Sequence, residues 1–252
     1  MQAAAVTLTL VLCHWHEQHA DTLGFLVKAA QALPAHARVQ KVVLYDHDED
    51  ASAHPWPDGV SVHVIPNFGL EAHCYSHWTT EHSADVSSTH VWFSQAVPDA
   101  FMGPKLFPRL QLLTAETTML CLSIIERCDC DGCQWAHWYD FRQEYETIVG
   151  RNCTGPWTAC FNGEFIVSRD RLLAVPPATY EYILALSEAP QNASVHKNVP
   201  EFGSTPSKSI VAHIMERLWN PLFNCTDIPA CDCEEGLMTC APGMCQCNAT
   251  DV

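Results

Sequence analysis

Val60-Ser61-Val62-His63-Val64-Ile65-Pro66-Asn67-Phe68-Gly69-Leu70-Glu71-Ala72-His73-Cys74-Tyr75 reads as a strand, a turn and the start of a helix. The β-branched run 60–65 suits a half-buried pleated strand. Pro66 and Gly69 punctuate the turn, and Asn67 stands where a helix N-cap is expected. Glu71, His73 and Tyr75 then crowd into the first turns of the helix. In open α/β sheets, ligands bind outside the carboxyl ends of the strands, which makes Asn67, Glu71 and Tyr75 candidate binding residues. A capped helix with a solvated polar face explains the same pattern, and both readings stay open at this point.

The pattern extends in both directions. Residues 6–13 form an apolar stretch rich in Val, Leu and Thr, a buried strand; 21–32 is a helix ended by Pro34; 39–45 is a second strand. With 60–65, a helix over 70–83 and a strand over 90–94, the order is β-α-β-β-α-β. This predicts an α/β fold with a mixed, mostly parallel sheet flanked by helices. Further on, 106–125 contains a helix, 159–168 is a strand, and 171–186 is a helix entered past Asp170. Ile210, Val211, Ile214, Leu218 and Leu222 give 208–223 one apolar face. The 252 residues suit a single α/β domain over 1–223, with a cysteine-rich insertion at about 121–160 and a cysteine-rich C-terminal appendix over 224–252.

A net charge of -16 argues against nucleic acid and anionic membrane surfaces as partners. Of the fourteen cysteines, Cys13 and Cys74 lie among regular elements, and the rest fall between Cys121 and Cys160 or between Cys225 and Cys247. Disulfides and zinc both fit such clusters. The second cluster lacks the paired C-x-x-C knuckles of a zinc ribbon, although Cys130-Asp131-Gly132-Cys133 is one C-x-x-C in the first. Asn152-Cys153-Thr154, Asn192-Ala193-Ser194, Asn224-Cys225-Thr226 and Asn248-Ala249-Thr250 match the N-glycosylation sequon. Together they favour disulfides and a secretory-lumen or extracellular location. Residues 3–13 have the length of a signal-peptide core, yet no Lys or Arg precedes them; they read instead as the first core strand. No stretch is long and apolar enough for a membrane span, so membrane association is not indicated.

Several clusters bear on chemistry. His14-Trp15-His16-Glu17 follows the first strand, where His14 and His16 would share a face and suit a metal, a binding edge or a solvated loop. His73, His77 and Glu81 recur at i, i+4, i+8 without the Glu of a zinc-protease motif, and read as surface side chains. Asp46, Asp48 and Asp50 alternate after the second strand, the pattern of a cation site or of a solvated acidic loop. Gln95 and Asp99 end the strand over 90–94 without a D-x-D. Gly163-Glu164 opens a strand by a turn that suits close approach of a ligand or a simple bulge. Glu216-Arg217 is an intrahelical ion pair or a carboxylate positioned as general base.

In order along the chain, His16-Glu17, Asn67-Phe68-Gly69-Leu70-Glu71 with Tyr75, Trp92-Phe93-Ser94-Gln95, the stretch Gly163-Glu164 to Arg171, and Met215-Glu216-Arg217-Leu218-Trp219-Asn220 resemble the uncharacterised DUF3431 family. These pieces cover roughly residues 5–223 apart from the first cysteine cluster. That family looks like a divergent GT-A glycosyltransferase. The resemblance implies a GT-A-like sheet whose first strands hold a nucleotide sugar, with His16, Glu17, Asn67, Glu71, Tyr75, Gln95, Gly163, Glu164 and Arg217 binding substrate. It implies Asp99 as the ligand of Mn²⁺ or Mg²⁺, and Glu216 as the base that deprotonates an acceptor hydroxyl. Leu70 stands where the family carries Arg, and Asp99 lies further from Gln95 than in the family's turn. Two functions follow: glycosyl transfer from a nucleotide sugar to an unknown acceptor, or a non-catalytic GT-like domain that binds carbohydrate or protein.

Overall fold

A computed structural model describes residues 5–47, 51–98, 103–133, 141–197, 203–229 and 243–248. The chain runs β1 (Val6–His14), α1 (His19–Ala32), β2 (Ala37–Asp46), β3 (Val60–Val64), α2 (Leu70–His82), β4 (His90–Gln95) and α3 (Gly103–Leu110). It continues as β5 (Thr117–Cys121), β6 (Ile125–Asp129), β7 (Gly132–Cys133), α4 (Phe141–Ile148), β8 (Trp157–Cys160), β9 (Phe165–Ser168), α5 (Arg169–Ala174), α6 (Pro177–Ser187), α7 (Ser194–Lys197), α8 (Ile210–Leu222) and β10 (Gln246–Asn248).

The expected α/β fold is present. Seven strands lie in the order β10-β5-β9-β4-β1-β2-β3. β4, β1, β2 and β3 are parallel neighbours, while β9 is antiparallel to both β4 and β5. β1 is interior to the sheet and buried almost throughout, and its second half, Leu10-Val11-Leu12-Cys13, is an unbroken apolar run. Leu8, Leu10 and Leu12 meet Phe25 and Ala29 of α1 and Leu106 and Leu110 of α3 on one side. Val11 and Cys13 meet the layer built by α2, α6 and α8 on the other, with Tyr75, Trp78, Ile183, Met215 and Trp219. The stretch read as the first core strand is thus, over Val6–His14, inside the main sheet. A second sheet, β7-β6-β8, stands beside the first. The C-terminal segment returns to the main sheet, because β10 pairs with β5.

Five cysteine pairs stand at disulfide distance: Cys13–Cys74, Cys121–Cys160, Cys128–Cys133, Cys130–Cys153 and Cys225–Cys247. They fit the disulfide reading and are compatible with a secreted or lumenal protein. No helix among the described residues is long and apolar enough to cross a membrane.

Two local expectations are corrected. The single strand over 159–168 is two strands in different sheets, parted by a 3₁₀ turn at Phe161–Gly163. Asn162 and Gly163 are both left-handed, with φ of 59° and 62°, and reverse the chain between the sheets. The single helix over 171–186 is α5 and α6, because Pro176 cannot continue the first and holds Val175 extended. The region 106–125 does contain helix, the end of α3 up to Leu110, and β5 follows.

Candidate functional site

The carboxyl ends of β1, β2 and β4 lie along one edge of the main sheet, and β9 begins there. Antiparallel pairing of β9 with β4 sets Phe165 beside Phe93 and delivers Glu164 to the end of β4. The Glu164 carboxylate accepts the Gln95 backbone N–H at 2.8 Å. Sequence reading selected Gln95, but this contact is made by its main chain.

The turn from Pro66 feeds α2 into the same edge. Asn67 does not cap the helix; the N-cap is Gly69, at φ 60°, whose N–H donates to the Pro206 carbonyl at 2.8 Å. The Asn67 Oδ1 is buried with no hydrogen-bond partner among the described residues. The left-handed turn at Gly69 and Leu70 then points one face of α2 toward α8. On that face Glu71 and Tyr75 meet the turn before β9: a Cβ on Gly163 would lie 3.4 Å from Tyr75 Cε2, 3.5 Å from Glu71 Cγ and 3.9 Å from Trp219 Nε1. Glycine at 163 leaves this space open.

From α8, Glu216 reaches the same turn. Its carboxylate accepts the Asn162 backbone N–H and the Arg217 guanidinium, the latter at 2.6 Å, with His213 Nδ1 at 3.5 Å. Arg217 also faces Glu126 at 3.6 Å and lies over the Phe161 ring at 5.5 Å. The ion pair between Glu216 and its sequence neighbour Arg217 is therefore present, but both are buried and tied into the core. Burial pushes the Glu71 carboxyl up to about 7, and the negative charge of Glu216 adds to the rise; His213 and Arg217 oppose it. Burial, with Glu164 and Glu71 nearby, raises the Tyr75 phenol well above its ordinary value. Tyr75 Oη and Trp219 Nε1 are buried with no hydrogen-bond partner among the described residues.

The structure thus brings together Glu71, Tyr75, Gly163, Glu164, Glu216, Arg217 and the backbone of Gln95. It does not bring His16 and Glu17 into that group. His14 bridges Asp46 Oδ1 at 3.1 Å and the Glu17 carbonyl at 3.0 Å, and the Glu17 carboxylate accepts the Trp15 N–H. His14 is therefore turned away from a shared ligand with His16, which sits in a left-handed bend at φ 60°. Asp46 is buried and accepts the Ala51 N–H at 2.8 Å, so it belongs to a structural turn and not to a solvated acidic loop. Asp48, Asp50 and the metal candidate Asp99 lie outside the described residues. The α2 histidines differ from the expected surface row: His73 is fully buried, and His77 pairs with Glu81 at 3.3 Å.

Sequence reasoning missed Glu126, Asn162, His213 and Trp219. Glu126 lies inside the cysteine-rich insertion, where no periodicity marks it. Trp219 follows Glu216 by three positions on one helix face, and that spacing was a usable signal. A groove of about 690 Å³ opens elsewhere, lined by Thr117, Ile148, Arg171, Val175 and Phe223, and none of the clustered residues borders it. The chain matches no protein-family model and no curated protein.

Proposed function

We propose that the Glu71–Glu216 edge transfers a glycosyl group from a nucleotide sugar to a hydroxyl acceptor, and that Glu71 carries the proton. The observation that carries this reading is the convergence of Glu71, Tyr75 and Glu216 on the Asn162-Gly163 turn, where Glu216 is already committed to Asn162 and Arg217 and burial raises the Glu71 carboxyl. A general base works best with a pKa close to the working pH, and a carboxylate saturated by donors is a poor one. Glu216 therefore changes role relative to the sequence expectation: its charge adds to the rise of the Glu71 carboxyl, and it does not itself take the proton. Tyr75 Oη and Trp219 Nε1 are donors awaiting acceptors, and aromatic rings surround them. Buried orphan donors beside carboxylates and ring faces suit a polyhydroxyl ligand. The ordered resemblance to the DUF3431 pieces supports the same substrate class.

Mn²⁺ or Mg²⁺ takes oxygen ligands, and the Asp99 carboxylate has the right donor chemistry to hold one. Such an ion would neutralise the diphosphate leaving group. Leu70 offers no charge to the phosphates, which favours the second reading, a GT-like domain that binds carbohydrate without transferring it.

A panel of UDP- and GDP-sugars with Mn²⁺ tests the proposal by thermal shift and by release of nucleoside diphosphate. Stabilisation with turnover is expected, and Glu71→Gln should lower turnover by about 100-fold or more while the sugar nucleotide still binds. Stabilisation without turnover would establish the binding domain. No shift with any donor would falsify the transferase reading.

A further inference from the structure

Cys13, His47 and Cys74 lie outside the carboxylate cluster and come from three elements: the end of β1, the residue after β2, and α2. All three are buried, and their sulfur and nitrogen ligand atoms lie within 4.8 Å of one another. We propose that, once the Cys13–Cys74 pair is reduced, these side chains hold one zinc ion in a Cys₂His site.

The imidazole geometry argues for it. His47 Nδ1 lies 3.0 Å from the Pro66 carbonyl, which can only accept, so Nδ1 bears the proton. The Nε2 lone pair is thereby left facing Cys74 Sγ at 3.0 Å and Cys13 Sγ at 3.3 Å. A zinc-bound histidine commonly donates its other N–H to a backbone carbonyl, and here that partner is already in place. With Zn–S near 2.3 Å and Zn–N near 2.0 Å, tetrahedral donors stand about 3.5–3.8 Å apart, which is within the reach of this triad. Two thiolates neutralise the ion, so the buried site carries no net charge. His73 stacks on His47 at 5.7 Å between centroids, and its own Nδ1 is buried with no hydrogen-bond partner among the described residues. The fourth position of a tetrahedral ion held here would fall to water. Glu126, Cys128 and Cys133 also come within reach of one another, but that group has no imidazole and Glu126 faces Arg217.

The chemistry balances with a dithiol as reductant. Its two thiols become a disulfide as the Cys13–Cys74 bond breaks and two thiols form; zinc then displaces their two protons to water. The inference does not depend on glycosyl transfer.

Limited reduction of the folded protein with a non-chelating phosphine, followed by Co²⁺ titration, tests it. The expected result is one equivalent bound with the visible bands of a tetrahedral thiolate site, and at least a tenfold weaker affinity in His47→Gln. Because Cys74→Ser risks misfolding, the wild-type protein provides the second measurement. Zinc should shield Cys13 and Cys74 from alkylation, as read by peptide mass. Unshielded cysteines, an unchanged titration in His47→Gln, or reduction of this pair only on unfolding would each overturn the proposal.

Discussion

At the scale of single residues, Glu71 is the most informative side chain. A carboxyl whose folded pKa, about 7, lies above its ordinary 4.5 binds a proton more readily in the folded state. Between those values the folded protein holds more proton than the unfolded chain, so this group's contribution to stability falls as pH rises and levels off above 7. Glu71→Gln removes that dependence. Melting temperatures measured from pH 5 to pH 8 should show the variant gaining on wild type as pH rises; a constant difference would mean that Glu71 is ionised throughout. Glu71 was legible in the sequence as a polar residue after a strand. Its raised pKa was not, because burial by the packing of α8 on α2 is its main cause, and Glu216, which adds to it, is 145 positions away along the chain.

At the scale of elements, α2 holds the candidate site to the sheet, and its first turn decides where Glu71 and Tyr75 point. A Cβ on Gly69 would sit 2.8 Å from Ser187 Cβ of α6, and the backbone is left-handed there. Gly69→Ala should cost about 1–2 kcal/mol for the backbone alone, with crowding against α6 adding to it. Chemical denaturation measures the loss, and unchanged stability would show that α2 and α6 are not packed this way. An apolar face at helical spacing revealed α8, and the turn residues Pro66 and Gly69 announced α2. The break at Asn162-Gly163 was hidden because 159–168 is apolar enough to read as one strand. Only pairing of the two halves with different sheets, β8 with β6 and β9 with β4 and β5, separates them.

At the scale of the whole molecule, covalent pairs tie the smaller sheet and the C-terminal segment to the core. Cys121–Cys160 joins β5 of the main sheet to β8 of the small one, and Cys225–Cys247 joins the segment after α8 to β10. A peptide map under non-reducing conditions should recover both. Replacing Cys121 and Cys160 together by Ala should cost about 2–5 kcal/mol by releasing the chain between them in the unfolded state. Recovery of either cysteine as a free thiol in the native protein would contradict this arrangement.

The sequence by itself determined the α/β class, the order of the first strands and helices and the core position of the first strand, and it favoured disulfides for the cysteine clusters. These follow from local periodicity, turn chemistry and composition, which act over a few residues. Tertiary structure alone decided that Glu71, Gly163 and Glu216 meet while His16 and Glu17 stay apart, that His47 faces Cys13 and Cys74, and that β10 returns to the sheet edge. Such convergence is set by strand order and by helix packing. Both join positions far apart in the chain and leave no periodic trace in it.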